Sequence, residues 1–238
     1  MQRTRIEGHF GEKFNPALTN VKDCNGLRVT GEAMFDGTGR PIRDLFWKLH
    51  RAAPNSGNFP NGGVPRARLA LIENSRGVTV EGITFKDSQF RNLHLYKCDG
   101  VTFAMRGSRC RTTTCRLPAR MESIRIAAGT VERCYFSVTD DCIAVKGSSG
   151  PHATEDRDSA PVEHIRVRDC VSKRGSGIMA PGREATLVRD VIVERFRVIG
   201  NVLKLRSDMP QHSEDIHCRY ITIEATGGTI ISARPWFQ

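Results

Sequence analysis

The chain has 238 residues, 39% hydrophobic and 26% charged, a soluble globular composition with room for one large domain or two ordinary ones. No run approaches the roughly 18 apolar residues of a membrane helix, and the opening MQRTRIEGHF has no apolar signal core. Eight cysteines are too dilute for a disulfide scaffold, while 36 basic against 26 acidic residues leave a formal charge of +10.

In chain order, GLRVTGEAMFDG (26–37) is a faint strand unit. RAAPNSGNFPNGGVPRAR (51–68), rich in Pro, Gly and Asn, predicts an ordered loop projecting from the fold rather than a domain linker. GVTVEGITF (77–85) is the first clear strand unit, and GVTF (100–103) is a weak copy of it. Then comes an anomaly. Residues 104–130 hold six arginines (Arg106, Arg109, Arg111, Arg116, Arg120 and Arg125) against one acid, Glu122, and so supply half of the net charge. The stretch has no strand alternation. A basic nucleic-acid-binding insertion is one reading of it, but no interleaved aromatic residues support that. Regular units resume with TVERCYFSV (130–138), HIRVRDCVS (164–172), DVIVERFRV (190–198) and DIHCRYITI (215–223).

Aligned on one core position, the units place Val29, Val80, Val131, Val167, Val193 and Cys218 in register, at intervals of 51, 51, 36, 26 and 25 residues. The two longest intervals are each about twice 25, with Phe103 as an intermediate copy in the second. Apolar residues recur three and five places later: Ile83 and Phe85, Cys134 and Phe136, Phe196 and Val198, Ile221 and Ile223. One such coil cannot bury its inward face alone, so coils must stack around a shared core. The leucine and asparagine ladder of leucine-rich repeats is missing, and a β-sandwich would show closer hairpin turns. The expected fold is all-β: a right-handed parallel β-helix, one domain over 1–238, with 104–130 as its aberrant segment. Cys134 and Cys170 share a register and should stack inside the coil as small apolar residues. A disulfide or metal pair is the sharper alternative, but no CxxC or HxxxH spacing favours it.

Three stretches could carry chemistry. SVTDDCIAVKG (137–147) sets two carboxylates, Asp140 and Asp141, at a turn just after one strand. Such pairs also occur at ordinary turns, but like charges this close tend to raise one pKa, as a general acid requires. KRGSGIMAPG (173–182) follows one coil later and NVLKLRSD (201–208) another coil on. Lys204 and Arg206, two apart on a strand, share a face that is either simply solvated or holds an acidic substrate.

These stretches, in this order, resemble glycoside hydrolase family 28, the polygalacturonase-like hydrolases of pectic polysaccharides. Residues 26–42 and 72–101 resemble the coils upstream of that family's active site. The family carries the motifs N-T-D, D-D, G-H-G and R-I-K. The resemblance implies Asp140 as general acid and Asp141 as partner to the N-T-D aspartate in activating water, the inverting arrangement. Ser176 stands between Gly175 and Gly177 where the family has histidine, so Ser176 and Gly177 would face the substrate. Lys204-Leu205-Arg206 keeps both charges of R-I-K in exchanged order and would bind a substrate carboxylate. Members of the family are commonly longer, so an N-terminal cap and final coils are expected to be absent from this chain. The implied partner is an acidic polysaccharide, with no metal or organic cofactor, no nucleic acid and no membrane. A monomer, secreted or periplasmic, is expected.

N-T-D itself is missing, and its place falls within the arginine-rich stretch. A shifted reading frame explains both anomalies. Reading inferred codons two bases in, one permitted translation of 104–130 contains S-T-D-G-I-D at the expected distance before Asp140. Met121 has a single codon, and its last base with the first two of Glu122 forces the glycine. The replaced string is acidic, so the excess positive charge would vanish with it.

Overall fold

The computed structural model describes residues 6–7, 13–14, 17–52, 66–104, 124–125, 129–138, 141–145, 162–175, 177–181, 188–199, 203–206, 213–224 and 231–234. Apart from one antiparallel pair, Ile6–Glu7 with Lys13–Phe14, its strands stack in parallel, coil upon coil, as an all-β solenoid. Val29 pairs with Val80, Val80 with Phe103, and Phe103 with Val131. Val131 then pairs with Val167, Val167 with Val193, and Val193 with Cys218. The expected register is therefore the observed one. The first interval is corrected: Val29 and Val80 are direct neighbours, so those 51 residues form one enlarged coil and not two.

Backbone geometry explains the apolar spacing of three and five. In a flat strand the residues at plus two and plus four would also point inward. Here the residue at plus two takes a left-handed conformation: Gly31 and Gly82, then Arg133, Asp169, Arg195 and Tyr220 at φ between 48° and 56°. That bend turns the chain by one residue and sends plus three and plus five into the core. Val80, Val131, Val167, Val193, Phe136 and Phe196 are all at most 1% exposed. Gly82 has a second constraint, because a Cβ there would lie 1.9 Å from the Gly31 carbonyl oxygen. Gly82→Ala should cost about 1–3 kcal/mol in a urea titration, as strain in a sparsely populated conformation does.

Cys134 and Cys170 stack as free, buried thiols, with the Cys134 N–H 3.4 Å from the Cys170 sulfur. Of the stretch read as a projecting loop, Arg51 and Ala52 end a helix and Arg68 opens a strand, while 53–65 lie outside the described residues.

The helix, Arg40–Ala52, was not foreseen. The Gly39 carbonyl accepts its first backbone bond from Arg43, and Pro41 occupies the first turn, where its missing N–H is no loss. One face buries Arg43 and Phe46, three residues apart. Arg43 ion-pairs with Asp87 and donates to the Ser88 carbonyl at 2.6 Å, pinning the helix to the turn after the Thr84–Lys86 strand.

Outward-facing charges pair across neighbouring coils. Arg168 meets Glu132, Arg189 meets Glu163, Arg195 meets Asp169, and Arg197 meets Glu224. Asp190 accepts from His164 at 2.5 Å and from Arg166 at 2.7 and 3.0 Å. Hydrogen bonds from His164 and Arg166 hold the Asp190 carboxyl below its ordinary range, as that from Arg195 does for Asp169. The unfolded chain then binds more protons near pH 4 than the folded one, so stability falls as pH drops through that window. The thermal midpoint should decline on acidification below about pH 4, and less steeply in Asp190→Asn.

Candidate functional site

Asp141 opens the Asp141–Val145 strand, whose next three residues, Cys142, Ile143 and Ala144, have no exposed surface. A strand buried on both faces reads as the continuous apolar run CIAV. Asp141 itself is 6% exposed, so this carboxylate is held in place and not loosely solvated. Its Cα partner on the next coil is Gly177, in the Gly177–Pro181 strand, which adds no side chain beside it. Beyond that strand runs Leu203–Arg206, carrying Lys204 and Arg206, which pairs in turn with Ile231–Arg234.

The fold thus brings Asp141, Gly177 and the Lys204-Leu205-Arg206 strand onto three successive coils of one side of the solenoid. Asp140 and Ser176 lie outside the described residues, as do 105–123 and 126–128 of the aberrant stretch. Ile124 and Arg125 of that stretch form a short strand, which pairs with Leu93–Tyr96 on one side and Asp141–Val145 on the other. The anomalous segment therefore contributes the coil immediately beside Asp141. Among the described residues no three His, Cys, Asp or Glu side chains gather as a metal site, and no helix is long and apolar enough to cross a membrane.

Sequence reading missed a second charged group on this side. Arg66 and Arg68 are 5% and 4% exposed, and Arg91 is half-buried nearby. The guanidinium carbon of Arg66 lies 3.9 Å from the Phe46 ring centre and 4.6 Å from that of Phe90. Arg91 and Arg68 lie 4.7 and 5.8 Å from the same Phe90 ring. Burial, together with the neighbouring Arg91 charge, depresses the Arg66 guanidinium to about 10. No sequence period marks these arginines, because their grouping depends on the helix that carries Phe46.

No protein-family model matches the sequence, and no curated protein does. Among solved structures the chain is similar to the family 28 exopolygalacturonase of Yersinia enterocolitica, with a TM-score of 0.63 and 12% identity over 96% of this chain and 54% of that one. It is also similar to a hyperthermoactive exopolygalacturonase from Thermotoga maritima, with a TM-score of 0.60 and 18% identity over 92% of this chain and 59% of that one. The chain spans just over half the length of both. At such identity the likeness speaks for the fold alone, and this chain has the β-solenoid fold of these two exopolygalacturonase structures.

Proposed function

We propose that this chain is a polygalacturonase-type glycosidase acting on galacturonide-containing polysaccharide by an inverting acid/base mechanism. The observation that carries the reading is the stacking of Asp141, Gly177 and the Lys204-Leu205-Arg206 strand on consecutive coils, in the order D-D, G-x-G, R-I-K. Asp140 protonates the departing glycosidic oxygen, and the bond breaks as positive charge builds on the sugar. Asp141 accepts a proton from the water that attacks the opposite face. Lys204 and Arg206 hold the sugar carboxylate, and the absent side chain at Gly177 leaves room for the ring.

The mechanism wants a third carboxylate, supplied in the family by N-T-D, and the alternate frame of 104–130 would encode it. Without it, and with Ser176 in place of histidine, turnover falls by orders of magnitude, since cooperating catalytic groups fail together. That deficit favours a second reading, a carbohydrate-binding β-helix that no longer hydrolyses. Incubation with polygalacturonate separates the two. The hydrolase releases reducing ends above an enzyme-free control, the binding protein retains the polymer without release, and a chain that does neither refutes both.

A further inference from the structure

Register partners of opposite charge are the rule in this solenoid. Among the described residues, wherever two of Asp, Glu, Lys and Arg are paired in register, an acid meets a base, with one exception. Lys22 stands opposite Glu73, Asp36 opposite Lys86, and Arg189 opposite Glu214. The exception is Arg206, whose Cα partner on the next coil is Arg234. Like charges directly opposite each other are destabilising in a sheet. Stacking alone therefore does not account for this pair, but its position does. The Ile231–Arg234 strand follows Gly177–Pro181 and Leu203–Arg206 on the side of the solenoid that carries Asp141. It is three strands from Asp141–Val145, roughly 14 Å at about 4.8 Å per strand.

We infer that Arg206 and Arg234 form a paired anion site, in which Arg234 takes the carboxylate of the sugar unit next beyond the one held by Lys204 and Arg206. Resting on the glycan reading above, this narrows the ligand to a polyuronide with free acids on adjacent units. Such a polymer carries one carboxylate per sugar, and a sugar unit is about as long as neighbouring strands are far apart, so its charges keep step with the coils. Elsewhere in the fold the opposite charge comes from the next coil, and here it comes from the bound chain. Binding relieves the repulsion between the two arginines, which an uncharged methyl ester cannot do. Arginine suits the task, since its planar fork matches the two oxygens of a carboxylate. Arg234 thus lowers the stability of the free protein, and the acid polymer offsets that loss.

The test is calorimetric titration of the full chain with hexagalacturonate and with its fully methyl-esterified form, alongside thermal melts of the free proteins at low salt. Wild type should prefer the acid form. Arg234→Gln should weaken the acid form about tenfold, as loss of one charged hydrogen-bonding partner does, and leave the ester unchanged. Arg234→Glu should weaken the acid form further. It also restores an acid opposite Arg206, so its ligand-free thermal midpoint should rise by about 1–3 °C. A residue with a purely structural role would lose stability and binding together. An unchanged or lower midpoint in Arg234→Glu overturns the paired site and leaves the glycan reading standing. So does equal affinity of wild type for the two hexamers, an equal loss for both in Arg234→Gln, or no loss for either. Failure of wild type to bind either hexamer overturns both.

Discussion

Replacing 104–130 by its alternate-frame translation should raise reducing-sugar release from polygalacturonate by about 10²–10⁴-fold, the usual contribution of one positioned acid or base. The substituted stretch supplies S-T-D-G-I-D just ahead of the Ile124–Arg125 position, on the coil between Leu93–Tyr96 and Asp141–Val145. The Ile124–Arg125 strand into which that motif leads is paired with the Asp141–Val145 strand, so the expected gain comes from an aspartate of the motif acting with Asp141 on the same water. The exchange also replaces six arginines and a single acid with a string that is acidic overall. Initial rates of the two proteins at equal concentration check this. An unchanged rate means that the coil next to Asp141 plays no part in catalysis.

The largest loss of stability should come from Phe136→Ala. Phe136 and Phe196 are each 1% exposed, and their rings stack at 6.4 Å between centroids with 9° between planes. They occupy the plus-five and plus-three positions of their units, where the core closes after the left-handed bend. Removing the Phe136 ring leaves a cavity against Phe196, and the Tyr135–Ser137 strand, tied in parallel to Val171–Arg174, should collapse only partly to fill it. A cost of about 3–5 kcal/mol follows, enough to consume much of an ordinary domain's stability. Urea unfolding followed by far-ultraviolet circular dichroism measures it. A cost below about 1 kcal/mol would mean a loosely packed core.

Some of this was legible in the sequence because the physics acts on residue type. A shared core forces an apolar residue at one place in each coil, so Val29, Val80, Phe103, Val131, Val167, Val193 and Cys218 can be aligned without a structure. The turn behind the three-and-five spacing was not legible, because its left-handed residues are of unlike types: Gly82, Arg133, Asp169, Arg195 and Tyr220. The helix Arg40–Ala52 was hidden by the Gly and Pro that flank its start, which serve here as cap and first turn. Of the candidate site, Asp141 beside Gly177 could be anticipated from motif order alone. The grouping of Arg66, Arg68 and Arg91 around Phe90 could not, since it depends on how distant segments are brought together. Much of the basic excess likewise reads differently in three dimensions. Arg166, Arg168, Arg189, Arg195 and Arg197 are engaged with acids on neighbouring coils.

The central claim is that the solenoid edge at Asp141 is a hydrolytic site. Prolonged incubation of polygalacturonate with the unaltered chain and with Asp141→Asn tests it most directly. The expected result is a slow release of reducing ends above the enzyme-free control, abolished by the substitution while the variant's thermal midpoint stays within a few degrees. Equal release from both proteins, or none from either, contradicts it.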